Sequence, residues 1–356
     1  MYDLGPINLD FNFSDAAAAS YNGPQSQYLG LKYNQPLYSF PENQTGHYPT
    51  DLLWYDARGK APGSSTPTSA YFDSAGLISL RSVWSNSNAL FAGIKAGFDT
   101  DVTPYGSTHE DLEIGSFVFD ALGVRWATDL GYDNYGLGGY FIPNPWTNPN
   151  RWQYYRTRAE GNNTLVINPS ADGGQTSYGT ATITNFKSSS SIQQAIIDMT
   201  AAYSQTDGNP SNKVSSTTPV TSDKRGMRFI NGVAQIQDEV TASSGVDFNW
   251  FIHTQQTISI SGNVATLTPA SGTSRLQMTI QSPSGATFKT MAAKPLRTSP
   301  DYLTFTTDGE TPNTGVNKLW IELPSTTSTR VTATLAPYIQ GNTPPAPPAV
   351  TALNSW

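Results

Sequence analysis

Residues 224–240, KRGMRFINGVAQIQDEV, constrain the fold of this chain more than any other stretch. Two runs of alternating apolar and polar residues flank Asn231-Gly232. That pair accepts positive φ at both centres of a type I′ turn, so the segment reads as a tight β-hairpin. Further strand patterns are expected at 69–72, 77–84, 89–95, 117–122, 181–186, 246–253, 257–260, 264–268, 275–280, 318–323 and 331–335. Residues 192–203 are ambiguous: Ile192, Ala195, Ile196 and Met199 fit helical spacing, whereas the β-branched content argues for a strand. Short strands at regular intervals with turn residues between them imply an all-β fold of two or more packed antiparallel sheets, a large β-sandwich.

Composition agrees. Gly 30, Pro 25 and only 13% charged residues mean many turns, and 12% aromatics suit a sandwich better than a helical bundle. A chain of 356 residues can bury a sizeable core. Its net charge of −7 argues against nucleic acid and against anionic membranes as partners. A polyanionic ligand would have to meet a local cluster of Arg and Lys. There are no cysteines, hence no disulfide or thiolate metal site. No run approaches the length of a membrane span, and MYDLGPINLDFNFSD has neither the basic nor the apolar region of a signal peptide.

The first 60 residues read as short helical pieces. One is expected at 11–23, with Ser14 or Asp15 as N-cap and Gly23 as terminator, a second at 27–40, ended by Pro36, and a third at 51–57. Residues 59–69 form a linker, and the Pro-rich residues 341–356 are expected to be extended and mobile.

The chemistry-bearing side chains concentrate between 106 and 167. His109 stands beside Glu110, Asp111 and Glu113; an apolar run at 117–122 leads to Trp126-Ala127-Thr128-Asp129-Leu130-Gly131. Tyr132, Tyr135 and Tyr140 follow among glycines, then Arg156, Arg158, Asn162 and Asn163. Apolar runs that deliver such residues onto glycine-rich turns imply a site on loops held by a rigid sheet. The plainer reading is a hydrogen-bonded loop histidine, packed tyrosines and a solvated acidic loop mouth. His253, alternating with apolar residues, reads as structural, and His47 offers no argument. Asp111 and Glu113 could also serve as the carboxylate pair of a hydrolase, although i, i+2 spacing on one short segment weakens that option.

The ordered segments HEDLEIGSF at 109–117, WATDLG at 126–131 and NNTLVIN at 162–168, with tyrosines between, resemble the heparinase II/III-like family of polysaccharide lyases. The resemblance implies an α/α toroid followed by a β-sandwich. Residues 1–60 would be the short helical remnant of the toroid, 61–340 the sandwich and 341–356 a tail. It implies β-elimination on an acidic, uronic-acid-containing polysaccharide, in an extracellular or cell-envelope setting, with a homodimer left open. His109 would be base or proton shuttle and Tyr140 its catalytic companion. Tyr135, Arg156 and Arg158 would bind substrate, the two arginines sharing one face of a strand. Asp111, Asp129 and Asn162 would stand at the positions of metal ligands. Two of these depart from the family, which has histidine where this chain has Asp111 and Asn162. Oxygen donors favour a divalent hard cation, Ca²⁺ ahead of Zn²⁺, or no metal. The toroid's share of the site has no counterpart here, so the chain would be an incomplete, weak lyase. The rival expectation is a non-catalytic glycan-binding or structural β-sandwich.

Overall fold

The computed structural model describes residues 2, 4–19, 23–40, 49–84, 86–99, 109–141, 151–152, 154–169, 174–177, 179–204, 218–296 and 309–356. His47 lies outside them. Helices α1 (Gln25–Lys32), α2 (Pro36–Ser39) and α3 (Asp51–Trp54) come first. Strands follow: β1 (Ala70–Phe72), β2 (Leu77–Arg81), β3 (Phe91–Lys95), β4 (Gly97–Phe98), β5 (Phe117–Ala121), β6 (Val124–Ala127), β7 (Leu165–Ile167), β8 (Thr180–Ser188) and β9 (Gln193–Asp198). After helix α4 (Thr200–Ser204) come β10 (Val220–Ile230), β11 (Val233–Thr254), β12 (Thr257–Ser261), β13 (Val264–Thr268), β14 (Ser274–Ser282), β15 (Phe288–Ala292) and β16 (Asn317–Ile339). The ambiguous segment at 192–203 is thus strand, then helix.

All pairings are antiparallel. A five-stranded sheet runs β1-β2-β3-β5-β6 and an eleven-stranded sheet runs β12-β13-β14-β16-β11-β10-β9-β8-β4, with β15 on β16 and β7 on β11. The turn between β10 and β11 has Asn231 at φ 52 and Gly232 at φ 80, as the type I′ pattern requires. β11 and β16 are longer than the alternation suggested. Ser243, Ser244 and Gly245 lie between the strands expected to end at 240 and begin at 246, yet they sit in an irregularity between Thr241 and Val246 that bends the ladder without ending it. The bend lets β11 carry β10 on its first half and β7 on its second.

Leu80, Phe117, Phe119 and Trp126 from the smaller sheet meet Met227, Phe229, Ile236, Trp250 and Leu335 from the larger in one buried core. Each such side chain contributes about 1.5–3 kcal/mol when fully buried. The opposite face of the smaller sheet is not solvent. Phe11 packs there against Phe91 and Val118, directly over Gly93, where a Cβ would approach its ring to 2.3 Å. Residues 11–19 form no helix. Arg125 donates to the carbonyls of Leu9 and Asp10 at 3.2 Å, and Arg81 donates to that of Leu4. Ser14 takes φ 55 and spends its N–H and hydroxyl on Glu113, at 2.8 and 2.9 Å, instead of capping a helix.

The Pro-rich segment is extended but docked on the outer face of the larger sheet. Gln281 donates to Pro348 O at 2.6 Å and Gln237 to Thr351 O at 2.8 Å. The Trp356 ring lies 4.1 Å from the Arg228 guanidinium, and Leu353 and Trp356 settle over Gly226, which has no Cβ to block them. A row of glutamines with amide donors to spare is what holds a segment that lacks its own hydrogen-bonding partners.

Asp223 on β10 is fully buried, and neither carboxyl oxygen has a hydrogen-bond partner among the described residues. The neighbouring Arg225 is spent on Asp238, at 2.7 and 3.0 Å. Burial, then the Asp238 charge, pushes the Asp223 carboxyl well above the ordinary range. The unfolded chain ionises this group near 3.8 and the folded chain does not. Stability therefore falls as pH rises above that value. Asp223→Asn should raise the melting temperature at pH 7, by the equivalent of about 1 kcal/mol or more, and change it little at pH 4. Equal shifts at the two pH values in thermal denaturation would contradict this.

Candidate functional site

Asn163 holds the three conspicuous sequence segments together. Its Nδ2 donates to Phe117 O at 2.7 Å and to Thr128 O at 2.9 Å. Its Oδ1 accepts the His253 backbone N–H at 2.6 Å. Arg225 reaches through the core from the larger sheet and donates to Gly115 O at 2.6 Å and Asn163 O at 3.0 Å. Gly115 turns at φ 83, where a Cβ would approach the Met199 sulfur to 2.5 Å. The chain can then reverse between the acidic loop and β5 without displacing the core.

Around this clamp the side chains converge on Asp15, which the sequence offered only as a helix N-cap. His109 Nδ1 lies 3.0 Å from Asp15 Oδ2. The Tyr140 hydroxyl donates to Asp15 Oδ1 at 2.6 Å, and Arg151 Nη2 donates to the same oxygen at 2.8 Å. An ionised carboxylate only accepts, so the imidazole carries its hydrogen on Nδ1 and presents Nε2 as the basic nitrogen. The His109 side chain is 55% exposed and that of Asp15 only 3%. Tyr140 is enclosed, accepts the Asp133 N–H at 2.9 Å, and lies under the Arg151 guanidinium at 4.3 Å. Burial raises its phenol, so it keeps its proton at neutral pH. Tyr135 and Phe141 form an aromatic rim, with ring centroids 6.0 and 5.0 Å from that of His109. Tyr132 continues the rim, 5.4 Å from Tyr135.

Behind the rim lies an acidic interior. Burial pushes Asp111 well up, a shift Arg151 opposes. Glu113 is pushed well up by burial and then by the charges of Asp129 and Asp111. Burial takes Asp129 up to about 6 against the Gly131 N–H. Asp111 and Glu113 are 2% and 0% exposed, so they do not flank an accessible bond as hydrolase carboxylates must.

The residues at the expected metal positions do not fit an ion as a set. Asp111 Oδ1 accepts Arg151 Nη2 at 2.9 Å. Asp129 Oδ1 accepts Gly131 N–H at 2.7 Å and Asn12 Nδ2 at 3.3 Å. The Asn162 amide donates to Arg158 O at 3.0 Å and Arg156 O at 3.4 Å. Among the described residues no group of three or more His, Asp or Glu is arranged to hold a metal. Asp129 Oδ2, Glu113 Oε2, Asn12 Oδ1, Asp99 Oδ2 and Arg151 Nη1 are buried without hydrogen-bond partners among the described residues, and burial raises the carboxyls of Asp129 and Glu113.

The two arginines do not share a strand face. Residues 154–161 coil on themselves, with a 3₁₀ turn at Ala159–Gly161, because Thr157 turns its hydroxyl back to the carbonyls of Arg151 and Tyr154. Arg156 donates to Leu130 O and Tyr132 O at 3.0 and 2.8 Å and so braces the tyrosine loop. Arg158 is 1% exposed and pairs with Glu160 at 2.8 Å, which also takes Lys318 at 2.6 Å. Neither arginine meets His109. His253 is buried, 2.8 Å from the Tyr155 hydroxyl, and burial holds its imidazole well below the ordinary range, as a structural residue. Nothing in the sequence linked Asp15 or Arg151 to the site: they lie 94 and 42 positions from His109 with no shared motif.

No protein-family model and no curated protein matches the chain. Solved structures do. A heparinase III gene product superposes with TM-score 0.63 at 16% identity, covering 95% of this chain and 45% of that one. Heparan sulfate lyase HepC from Pedobacter heparinus gives TM-score 0.62 at 15% identity, covering 96% and 46%. A structure of heparinase III gives 0.66 at 12%, covering 96% and 47%. The chain has the fold of the β-sandwich part of these proteins and spans a little under half their length.

If Asn163 is the clamp described, Asn163→Ala strands two buried carbonyls and a buried N–H. Each costs about 1–3 kcal/mol, so urea denaturation should record a loss on the order of 3 kcal/mol or more. A loss under about 1 kcal/mol would mean the segments are held otherwise.

Proposed function

We propose that this chain forms the β-sandwich half of a polysaccharide lyase that cleaves an acidic, uronic-acid-containing polysaccharide by β-elimination. The supporting observation is the Asp15-anchored imidazole of His109, exposed at an aromatic rim with the Tyr140 hydroxyl on the same carboxylate. The fold is shared with solved structures titled heparinase III and heparan sulfate lyase. In the reaction a base removes the proton beside the uronate carboxylate, and the 4-linked oxygen departs with a proton. His109, with Nδ1 tied to Asp15, supplies Nε2 for that transfer, a contribution of about 10²–10⁴-fold for a positioned base. Tyr140 keeps its proton and acts through Asp15 as a positioning residue. Tyr135, half exposed, stands at the rim where the sugar would lie.

Elimination also needs the uronate carboxylate neutralised, and each good donor there contributes about 3–4 kcal/mol. Arg151 is committed to Asp15 and Asp111, Arg156 to backbone carbonyls and Arg158 to Glu160. The neutralising groups would therefore come from a surface packed against this one. The same commitment of the arginines favours the second reading, a glycan-binding sandwich without chemistry. An extracellular or cell-envelope setting belongs to both.

The test is ultraviolet absorbance of unsaturated uronate ends on a panel of uronans, with this chain alone and joined to an α/α helical region. The chain alone should be weak and the joined protein active. His109→Ala should lower the joined rate by about 10²-fold or more. Full-rate elimination by the 356-residue chain would mean the neutralising groups are here after all. Glycan binding without product in either form would favour the second reading.

A further inference from the structure

The resemblance in sequence points to a divalent cation at Asp111, Asp129 and Asn162, and the side chains found there point elsewhere. Arg151 Nη2 bridges two carboxylates, Asp15 Oδ1 at 2.8 Å and Asp111 Oδ1 at 2.9 Å. Its Nε donates to Glu110 O at 2.8 Å. The Tyr140 ring lies 4.3 Å and the Trp152 ring 5.5 Å from the guanidinium carbon. The side chain is 5% exposed. Polar contacts and aromatic faces thus fix a group whose charge never titrates away in this setting.

We propose that Arg151 is the resident cation of this site: its guanidinium, in place of a divalent metal ion, holds Asp15 and Asp111 together and so positions His109 and Tyr140. An ion bound by Asp111 would stand within a few ångströms of the guanidinium in a buried setting, where like charges repel strongly. It would also have to share Asp111 with the Arg151 guanidinium that already binds its Oδ1. A planar fork suits two carboxylates that converge from separate segments, since one guanidinium can bind both and still donate to a backbone oxygen. The step from Asp15 to His109 is then direct, because the carboxylate that Arg151 anchors is the acceptor for His109 Nδ1. Arg151 touches neither imidazole nor solvent-side chemistry, so it is a positioning residue. Its catalytic consequence rests on the lyase reading; its electrostatic role does not.

Three measurements decide it on the 356-residue chain. Calorimetry with Ca²⁺ and Zn²⁺ should find no saturable site on the wild type, and EDTA should leave its melting temperature unchanged. Saturable stoichiometric binding that raises the melting temperature would overturn the proposal. The histidine ¹⁵N spectrum reads positioning directly, because the chain has three histidines and His253 serves as an internal control for the fold. Arg151→Gln should lose the hydrogen-bonded Nδ1–H signal of His109 while that of His253 persists, and Arg151→Lys should retain part of it. An unchanged His109 signal in Arg151→Gln would also overturn it. In Arg151→Ala, methylguanidinium should restore the signal; recovery with Ca²⁺ and not with methylguanidinium would reverse the assignment. If these variants fail to fold, the calorimetric and chelation arms on the wild type still decide. If no uronan is ever eliminated, the lyase reading falls while all three measurements stand.

Discussion

A charged side chain buried between two sheets must find a partner for every donor, and Arg225 does so in a way that shapes everything near it. Two of its nitrogens pair with Asp238 and a third donates to the carbonyls of Gly115 and Asn163. The ion pair is only 1% exposed on either side. A pair so buried gives little net stability against an apolar alternative, yet breaking it is costly, which makes it a device for fixing one arrangement over others. What it fixes is the meeting of β10 with the two loops that carry the site. Asn163 then passes the constraint on to Phe117, Thr128 and His253. The site loops are therefore tied to the larger sheet through the core as well as to one another.

The acidic interior is the second consequence. Burial raises the carboxyls of Asp111 and Glu113, and neighbouring carboxylates add to it: Asp15 and Asp129 on Asp111, Asp129 and Asp111 on Glu113. Two kinds of compensation are visible. Arg151 pairs with Asp15 and Asp111, while farther in burial raises the carboxyls of Glu113 and Asp129, so that they ionise less readily than in water. The division has a functional sense. Asp15, which orients the exposed imidazole of His109, stands on the side that Arg151 holds.

The sheet architecture was legible because strand alternation and the Asn231-Gly232 turn are local signals, and local signals survive without knowledge of partners. The long strands were cut short on paper for the same reason. Ser243, Ser244 and Gly245 fall between two expected strands until the neighbouring strand is there to absorb them as an irregularity. Segment 11–19 misled in the opposite direction. Ser14 and Asp15 have the chemistry of helix caps, but their acceptors and donors are Glu113, His109, Tyr140 and Arg151, nearly a hundred or more positions away. The motif located the imidazole and could not locate the carboxylate that orients it. Arg156 and Arg158 were misread as a strand pair because alternation of charge was counted without the Thr157 hydroxyl, which coils the backbone between them.

The balance of charge at the rim carries the last inference about what this surface can do by itself. A uronate chain approaching His109 meets tyrosines, a phenylalanine and a histidine, with carboxylates behind them. Sugar rings can lie against aromatic faces, but attraction for their carboxylates needs cations with free donors. The guanidinium nearest the imidazole is turned inward by Asp15 and Asp111, and that inward turn is what keeps the imidazole in place. On the lyase proposal, one arginine would have to hold His109 in position and bind a uronate carboxylate with the same nitrogens, which it cannot do. Positioning and neutralisation are thus separate tasks here, and this sandwich is built for the first.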